Sequence, residues 1–125
     1  MTERVWIEGK LPSANEYINA CRLNPHAGNK LKKETELLIM WQISKLSPID
    51  KPARFHFEWH EKNRRRDKDN VSFGQKFVFD ALQKAGKLPN DNNKFVIGFE
   101  HDFIYGIDQG LYLTITEINE TEEQT

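Results

Sequence analysis

Cysteine is almost absent from this chain of 125 residues, since Cys21 is the only one. A single cysteine excludes an internal disulfide framework and any zinc site built from four cysteines. The sequence also lacks the run of about 20 apolar residues that a membrane helix needs. Its N-terminal residues show no basic stretch followed by an apolar one. We therefore expect no membrane span, no secretory signal and a location in the cytoplasm.

An excess of charge of one sign is missing as well, because the formal net charge is -1. Hydrophobic residues make up 38% of the chain and aromatic residues 11%, which is enough apolar material for a hydrophobic core. The length suits a single domain. Acidic residues without a basic residue accumulate at the end of the chain. We therefore expect a domain over residues 1–118 and a flexible acidic tail over residues 119–125.

The hydrophobic pattern predicts a small domain of the α+β class. Alternating apolar residues predict four strands, over residues 4–8, 54–60, 95–105 and 111–115. A hairpin-like turn is predicted between the last two strands, and two main helices are predicted over residues 30–46 and 70–85. The stripe expected to face the core from the first helix consists of Leu38, Trp41, Ile43 and Leu46. This order of elements indicates a small mixed β-sheet of about four strands, packed by the two helices.

Two carboxylates separated by one residue lie directly before the second predicted helix, in Asp67-Lys68-Asp69. In an extended segment, residues i and i+2 project to the same side, so both carboxylates can point to one place. A hard divalent cation such as Mg²⁺ would relieve their repulsion, and it tolerates few protein ligands. The alternative is that Asp67 or Asp69 only caps the helix, which is a favoured role for Asp.

The densest basic run of the chain surrounds this acidic pair and contains Arg64, Arg65, Arg66 and Lys68. A helix cap does not need these arginines, whereas a metal site that acts on phosphate would use them to hold the anionic substrate. A solvated loop is the other interpretation of such a run. Phosphate contacts would make binding independent of base sequence and sensitive to salt.

Lys76 and Asp80 fall on the polar side of the second predicted helix, within about 40° of Asp69 if that residue follows the helical path. Lys76 can then stabilise charge on a phosphate. A solvent-exposed i,i+4 ion pair of little effect is the other interpretation of Lys76 and Asp80. A convincing metal site needs a third carboxylate. Asp91 follows the helix in the loop Asn90-Asp91-Asn92-Asn93, where turn formation is the default interpretation.

These motifs resemble the RusA family of Holliday junction resolvases. The resemblance is carried by Arg65-Arg66-Asp67-Lys68-Asp69-Asn70, by Lys76, by Phe79-Asp80-Ala81-Leu82 and by Asn90-Asp91. The early segment Leu11-Pro12-Ser13-Ala14-Asn15 is similar to a loop of the family. Compared with the shortest family pattern, this chain has a few more residues between the acidic pair and Lys76, among them Gly74.

The resemblance implies a RusA-like nuclease domain over residues 1–118 that acts as a homodimer in a bacterium or a phage-infected cell. The implied activity is the Mg²⁺-dependent resolution of four-way DNA junctions by paired nicks in opposing strands, and Mn²⁺ is expected to substitute. Metal binding and catalysis are expected from Asp67, Asp69 and Asp91, with Lys76 as the catalytic lysine. DNA binding is expected from Arg64, Arg65, Arg66 and Lys68, supported by Asn70 and Asp80. The alternatives are a non-catalytic phage accessory protein that binds branched DNA, and a structural domain whose acids only cap and turn.

Overall fold

The structure is a computed structural model that describes residues 2–89 and 94–118. Its strands are β1 Thr2–Glu8, β2 Ala53–Glu61, β3 Val96–Tyr105 and β4 Gly110–Glu117. Its helices are α1 Ala14–Leu23, α2 Pro25–Gln42, the five-residue α3 Lys68–Ser72 and α4 Gln75–Lys84. The predicted tail over residues 119–125 lies outside the described residues, as does Asp91.

The four strands form one mixed sheet with the spatial order β1-β4-β2-β3. β4 pairs antiparallel with both β1 and β2, whereas β3 pairs parallel with β2 through a crossover that contains α3 and α4. The predicted α+β class and the four-stranded mixed sheet are therefore confirmed. The predicted hairpin is wrong, because β2 lies between β3 and β4. The connection passes the end of β2, where the Gly106 amide donates to the Glu61 carbonyl at 3.0 Å.

The alternation of side chains in β2 decides which face of the sheet carries the core. Phe55, Phe57 and Trp59 are buried and join the buried residues of α2 and α4 in one hydrophobic cluster. Arg54 and His56 project to the opposite face, because successive side chains of a strand alternate. The predicted orientation of this strand is confirmed. The helical layer therefore covers the face that carries the aromatic residues.

The predicted core stripe of the first long helix is half wrong. Ile43 and Leu46 are buried as predicted, but they lie in the turn that follows Gln42, the last residue of α2. Leu38 and Trp41 are exposed. The residues that α2 buries are Gly28, Thr35, Glu36 and Ile39.

Two buried polar residues explain why the hydrophobic pattern gave the wrong face of α2. The Thr35 hydroxyl donates to the Leu31 carbonyl at 2.7 Å within the helix. The buried Glu36 carboxylate accepts a hydrogen bond from Lys84 of α4, and the two residues form an ion pair. These contacts pair the Thr35 hydroxyl and one oxygen of the Glu36 carboxylate, and they offset much of the cost of turning this face inward. The other oxygen, Oε2 of Glu36, is buried without a hydrogen-bond partner among the described residues. Hydrophobicity alone assigns such a face to solvent.

The second predicted helix is interrupted between α3 and α4. The Gly74 amide donates to the Val71 carbonyl at 3.1 Å and the Lys76 amide to the Phe73 carbonyl at 3.0 Å. These bonds span three residues instead of four, as in a 3₁₀ turn, so the rotation per residue changes there. The assumption of one continuous helix that placed Asp69 beside the polar face of α4 is therefore wrong.

The interruption lets the chain approach the sheet closely. A Cβ atom on Gly74 would lie 2.9 Å from Cη2 of Trp59 and 3.0 Å from Cδ1 of Leu11. Because glycine has no Cβ, the turn between α3 and α4 can pack on both side chains. The turn between α3 and α4 therefore lies against Trp59 of β2 and Leu11.

Gly110, the first residue of β4, also packs closely against neighbouring atoms, and this packing predicts the effect of a substitution on stability. A Cβ atom there would lie 2.6 Å from the Ile7 carbonyl oxygen of β1 and would also overlap the Trp6 ring. Because a backbone atom of a paired strand cannot easily move, Gly110→Ala should lower the free energy of unfolding by about 1–3 kcal/mol. Urea denaturation measures this loss.

Gly106→Ala is the matched control for that variant. No atom among the described residues lies within 4 Å of a Cβ on Gly106. We expect this variant to change the free energy of unfolding by less than about 0.5 kcal/mol. Equal losses at Gly106 and Gly110 would contradict the steric explanation.

Candidate active site

Arg66 is held by the end of β2. Its Nε and Nη2 donate to the two carboxylate oxygens of Glu61 at 3.0 and 2.9 Å, and its Nη1 donates to the Leu11 carbonyl at 2.8 Å. The Arg66 and Glu61 side chains are only 14% and 7% exposed. Gln109 donates a further hydrogen bond to Glu61. The bidentate pair therefore joins four parts of the chain: β2, the loop after it, the loop before α1 and the connection between β3 and β4.

The role of Glu61 was missed at the level of sequence, although a signal for it exists. Side chains alternate along β2, and Glu61 occupies the next inward-facing position after Phe57 and Trp59. A carboxylate on an inward position needs a cationic partner, because burial of an unpaired charge is costly. Arg66 follows five residues later and supplies that partner. Its guanidinium is therefore largely buried in an ion pair, whereas the side chains of Arg64, Arg65 and Lys68 are exposed.

Asp67 follows Arg66 and occupies the N-cap position of α3 without capping the helix. Its carbonyl accepts from the Val71 amide at 3.1 Å, but its side chain makes no cap hydrogen bond. This carboxylate is exposed, and it has no ion-pair partner within the part of the chain that the structure describes. The capping interpretation therefore does not account for the Asp67 side chain.

Asp69 presents a second exposed carboxylate in the first turn of α3. The prediction that Asp67 and Asp69 share one side of an extended segment is therefore wrong, because only Asp67 is extended and Asp69 is helical. Its Oδ1 accepts from the Asn70 amide at 3.0 Å. Asn70 is itself bound to the start of α1, because its Oδ1 accepts from the Asn15 amide at 3.3 Å. Arg66 on one side and Asn70 on the other therefore fix the short segment that carries both carboxylates.

The third predicted ligand, Asp91, lies outside the described residues, and its approach to Asp67 and Asp69 stays a prediction. Within residues 2–89 and 94–118, no three His, Cys, Asp or Glu side chains are grouped so that they could hold a metal ion. The two exposed carboxylates nevertheless suit Mg²⁺ in their donor chemistry, since this ion prefers oxygen and binds through one or two protein carboxylates.

Lys76 and Asp80 form an ion pair within α4, with 3.7 Å between Nζ and Oδ2. Lys32 of α2 lies 3.8 Å from the same oxygen, so Asp80 also links α2 to α4. These contacts match the i,i+4 interpretation of the pair and give Asp80 two cationic neighbours. The Lys76 side chain remains about half exposed. Because such exposed pairs are weak, the ion pair holds the Lys76 ammonium group on Asp80 with little free energy.

The exposed cations of the loop lie against aromatic side chains of β3. Cζ of Arg64 is 4.1 Å from the centroid of the Tyr105 ring, and Nζ of Lys68 is 5.8 Å from that of Phe103. Cation–π attraction orients both cations. Arg65 is exposed between them in sequence. Three cations therefore accompany the acidic pair on the surface, and the aromatic residues that orient two of them were not expected from the sequence.

A histidine connects β3 to the start of α4. Nδ1 of His101 accepts from Nε1 of Trp59 at 2.9 Å, and Nε2 lies 2.7 Å from Oε1 of Gln75. Since the indole nitrogen can only donate, the His101 proton is on Nε2, which donates to Gln75. Burial lowers the pKa of His101, the charge of His56 lowers it further, and Asp102 opposes both. Protonation would put two donors face to face and break the link to Trp59.

The chain matches no protein-family model and no curated protein. No helix within the described ranges is long and apolar enough to cross a bilayer. Support for a function therefore comes from the chemistry of the side chains around Asp67 and Asp69.

The contacts of Arg66 predict that it stabilises the fold. Arg66→Ala would leave the buried Glu61 carboxylate without its cation, and we expect the free energy of unfolding to fall by about 3 kcal/mol. The exposed neighbour provides a matched control, because Arg65→Ala should change this free energy by less than about 0.5 kcal/mol. Chemical denaturation of both variants measures the difference. Similar losses in the two variants would contradict the assignment.

The lowered pKa of His101 predicts a stability that depends on pH. In the unfolded chain the imidazole takes up a proton near pH 6.5, whereas the folded protein resists protonation until a lower pH. The free energy of unfolding should therefore decrease as the pH falls from about 7.5 to about 5. His101→Gln should reduce this decrease, and His26→Gln, which changes an exposed histidine, is the control. An equal reduction in both variants would contradict the role of His101.

Proposed function

We propose that the protein is a divalent-metal-dependent endonuclease that acts on branched DNA, with four-way junctions as its substrate. The observation that supports this function most is the Asp67 carboxylate, which occupies an N-cap position without capping the helix. An exposed carboxylate without a structural partner, one residue from a second one and next to exposed cations, suits a metal ion that acts on phosphate.

Asp67 and Asp69 hold the metal ion in this proposal, and Asp91 is its third protein ligand. When bound, Mg²⁺ or Mn²⁺ supplies Lewis-acid stabilisation of the phosphate and of the leaving oxygen. The protein has to keep the two described carboxylates in one place. Arg66, through Glu61, fixes the segment before Asp67, and Asn70 fixes it after Asp69. Preorganisation of this kind is what electrostatic catalysis requires.

The exposed cations of the loop bind the DNA backbone. Arg64 and Lys68 are oriented by aromatic rings of β3, and Arg65 is exposed beside them. Lys76 adds positive charge at the phosphate when it exchanges Asp80 for a phosphate oxygen. Arg66 contributes through the position of the acidic segment and does not contact the DNA. Affinity from these cations is independent of base sequence and falls with rising salt.

The preference for four-way junctions follows from the resemblance to the RusA family. That resemblance comprises the R-D-x-D-N motif at residues 66–70, Lys76 and the acidic residue Asp91. A homodimer with two active sites related by a two-fold axis would match a junction whose opposing strands are also related by a two-fold axis. Paired nicks in opposing strands follow from that symmetry.

The proposed metal ligands predict a variant that separates cleavage from binding. Asp69→Asn removes a negative charge but keeps an oxygen that can accept from the Asn70 amide. Cleavage of a synthetic four-way junction in Mg²⁺ should fall by about 100-fold or more, whereas the gel shift of the junction should persist. Asp50→Asn, which changes an exposed carboxylate in the loop before β2, is the control and should cleave like the unchanged protein.

The same assay distinguishes the proposed function from its alternatives. Cleavage that requires metal and is abolished by EDTA supports the nuclease. A junction shift without cleavage by the unchanged protein would instead support a non-catalytic protein that binds branched DNA. Cleavage that survives in Asp69→Asn would contradict the assigned metal site, and the absence of both cleavage and shift would contradict both DNA-directed functions.

A further inference from the structure

Two aromatic rings near the end of β3 lie beneath cations of the loop after β2. Phe103 and Tyr105 are two residues apart, so they project to the same face of the sheet, about 7 Å from each other along the strand. Both side chains are only partly buried. Cζ of Arg64 lies 4.1 Å from the centre of the Tyr105 ring, and Nζ of Lys68 lies 5.8 Å from that of Phe103. Two cation–aromatic pairs therefore lie side by side next to the acidic pair.

The two cations can leave these rings at little cost. Arg64 and Lys68 are exposed, and neither forms an ion pair with a carboxylate of the described residues. An exposed cation–π contact contributes little free energy. A flat ligand can therefore stack on the guanidinium plane of Arg64, or replace either cation on its ring. Nucleobases are flat, and they stack both on aromatic side chains and on Arg guanidinium planes.

The acidic side chains of β3 lie away from the two rings. Glu100 and Asp102 project to the other face of the sheet, because side chains alternate along a strand. Glu61, which lies opposite Tyr105 in the sheet, is paired with Arg66. The acidic pair of the candidate site carries negative charge close by, and a bound metal ion would offset it. The surface around the rings therefore suits an anionic ligand that has flat rings.

The spacing of the two rings favours bases that are not stacked on each other. Successive nucleotides of a duplex strand are about 3.4 Å apart along the axis, which is about half the separation of the rings along β3. Bases inside a duplex are also covered by their neighbours, so their faces are not available. Unpaired bases can be splayed apart and can stack on protein side chains. A branched DNA offers such bases where its arms meet, since regular stacking is interrupted there.

We propose that the two rings and the cations over them form a stacking site for unpaired DNA bases beside the acidic pair. One base stacks on Tyr105 together with the Arg64 guanidinium, and the next base stacks on Phe103. Lys68 contacts the phosphate between these bases. The stacking site deepens the proposed function and rests on it, because it names the part of a branched DNA that the protein holds beside the cleaved phosphate.

Binding of a single-stranded DNA of about 12 nucleotides, measured by fluorescence anisotropy in EDTA, tests the stacking site without cleavage. Tyr105→Leu should raise the dissociation constant by about tenfold, which is typical for the loss of one stacked base. Tyr105→Phe keeps the ring and should bind within about twofold of the unchanged protein. For a duplex of the same length, both variants should stay within about twofold, because phosphate contacts hold duplex DNA.

Tyr112→Leu is the matched control. The Tyr112 ring lies on the opposite face of the sheet and has its own cation, with Cζ of Arg4 at 3.8 Å from the ring centre. This variant should bind the single strand within about twofold of the unchanged protein. Denaturation curves check that both leucine variants fold.

Arg64→Lys provides a second test that does not disturb the core, because it changes an exposed side chain. Lysine keeps the charge of Arg64 but lacks the plane on which a base can stack. We expect single-strand binding to weaken by about fivefold and duplex binding to stay within about twofold.

Four outcomes would overturn the stacking site: no binding of the single strand, unchanged binding in Tyr105→Leu or in Arg64→Lys, an equal loss in Tyr105→Phe and Tyr105→Leu, or an equal loss for duplex and single strand. Junction cleavage is measured separately. A protein that cleaves junctions but binds single strands without Tyr105 would refute the stacking site alone. Binding that depends on Tyr105 in a protein that cleaves no junction would refute the nuclease alone.

Discussion

The buried pair of Arg66 and Glu61 is the contact on which the arrangement of the candidate site depends. It fastens the loop after β2 to the strand itself and to the chain before α1, through the Leu11 carbonyl. Asp67 is the next residue, so its position is set by this contact. A bidentate pair has a fixed geometry, and its burial excludes competing water. A polar contact that stabilises the fold thus also determines where the acidic pair is presented.

Charged side chains in this protein divide into those that pair within the fold and those that remain available on its surface. Lys84 with Glu36, and Lys32 with Asp80, connect α2 to α4. These pairs let α2 turn a partly polar face inward, so Leu38 and Trp41 remain exposed on its other side. Arg64, Arg65, Lys68, Asp67 and Asp69 are exposed, and they form the surface proposed to act on DNA. The same division of the charges therefore accounts for which side of α2 faces the core and for the surface proposed to act on DNA.

The strands were predictable because their signal is local. Alternation over residues 54–60 separates Phe55, Phe57 and Trp59 from Arg54 and His56, and the inner face of the sheet follows from that alternation alone. Which side of α2 packs on the core was not predictable from a local pattern. Burial of Glu36 on that side depends on Lys84, which is 48 residues away in sequence. The same holds for the inward side chain of Arg66, whose partners lie on β2 and before α1.

By itself, the sequence determined the α+β class, the four strands and the placement of two acids and several cations at the start of a helix. These properties reside in neighbouring residues and in short periodic patterns, so they can be read without knowledge of contacts. Only the tertiary structure decided that Asp67 does not cap α3, that Arg66 points inward and that Trp41 points outward. Two of the contacts behind these outcomes join residues that are distant in sequence, Arg66 with the Leu11 carbonyl and Glu36 of α2 with Lys84. Only folding brings such residues together, so short sequence patterns do not report them.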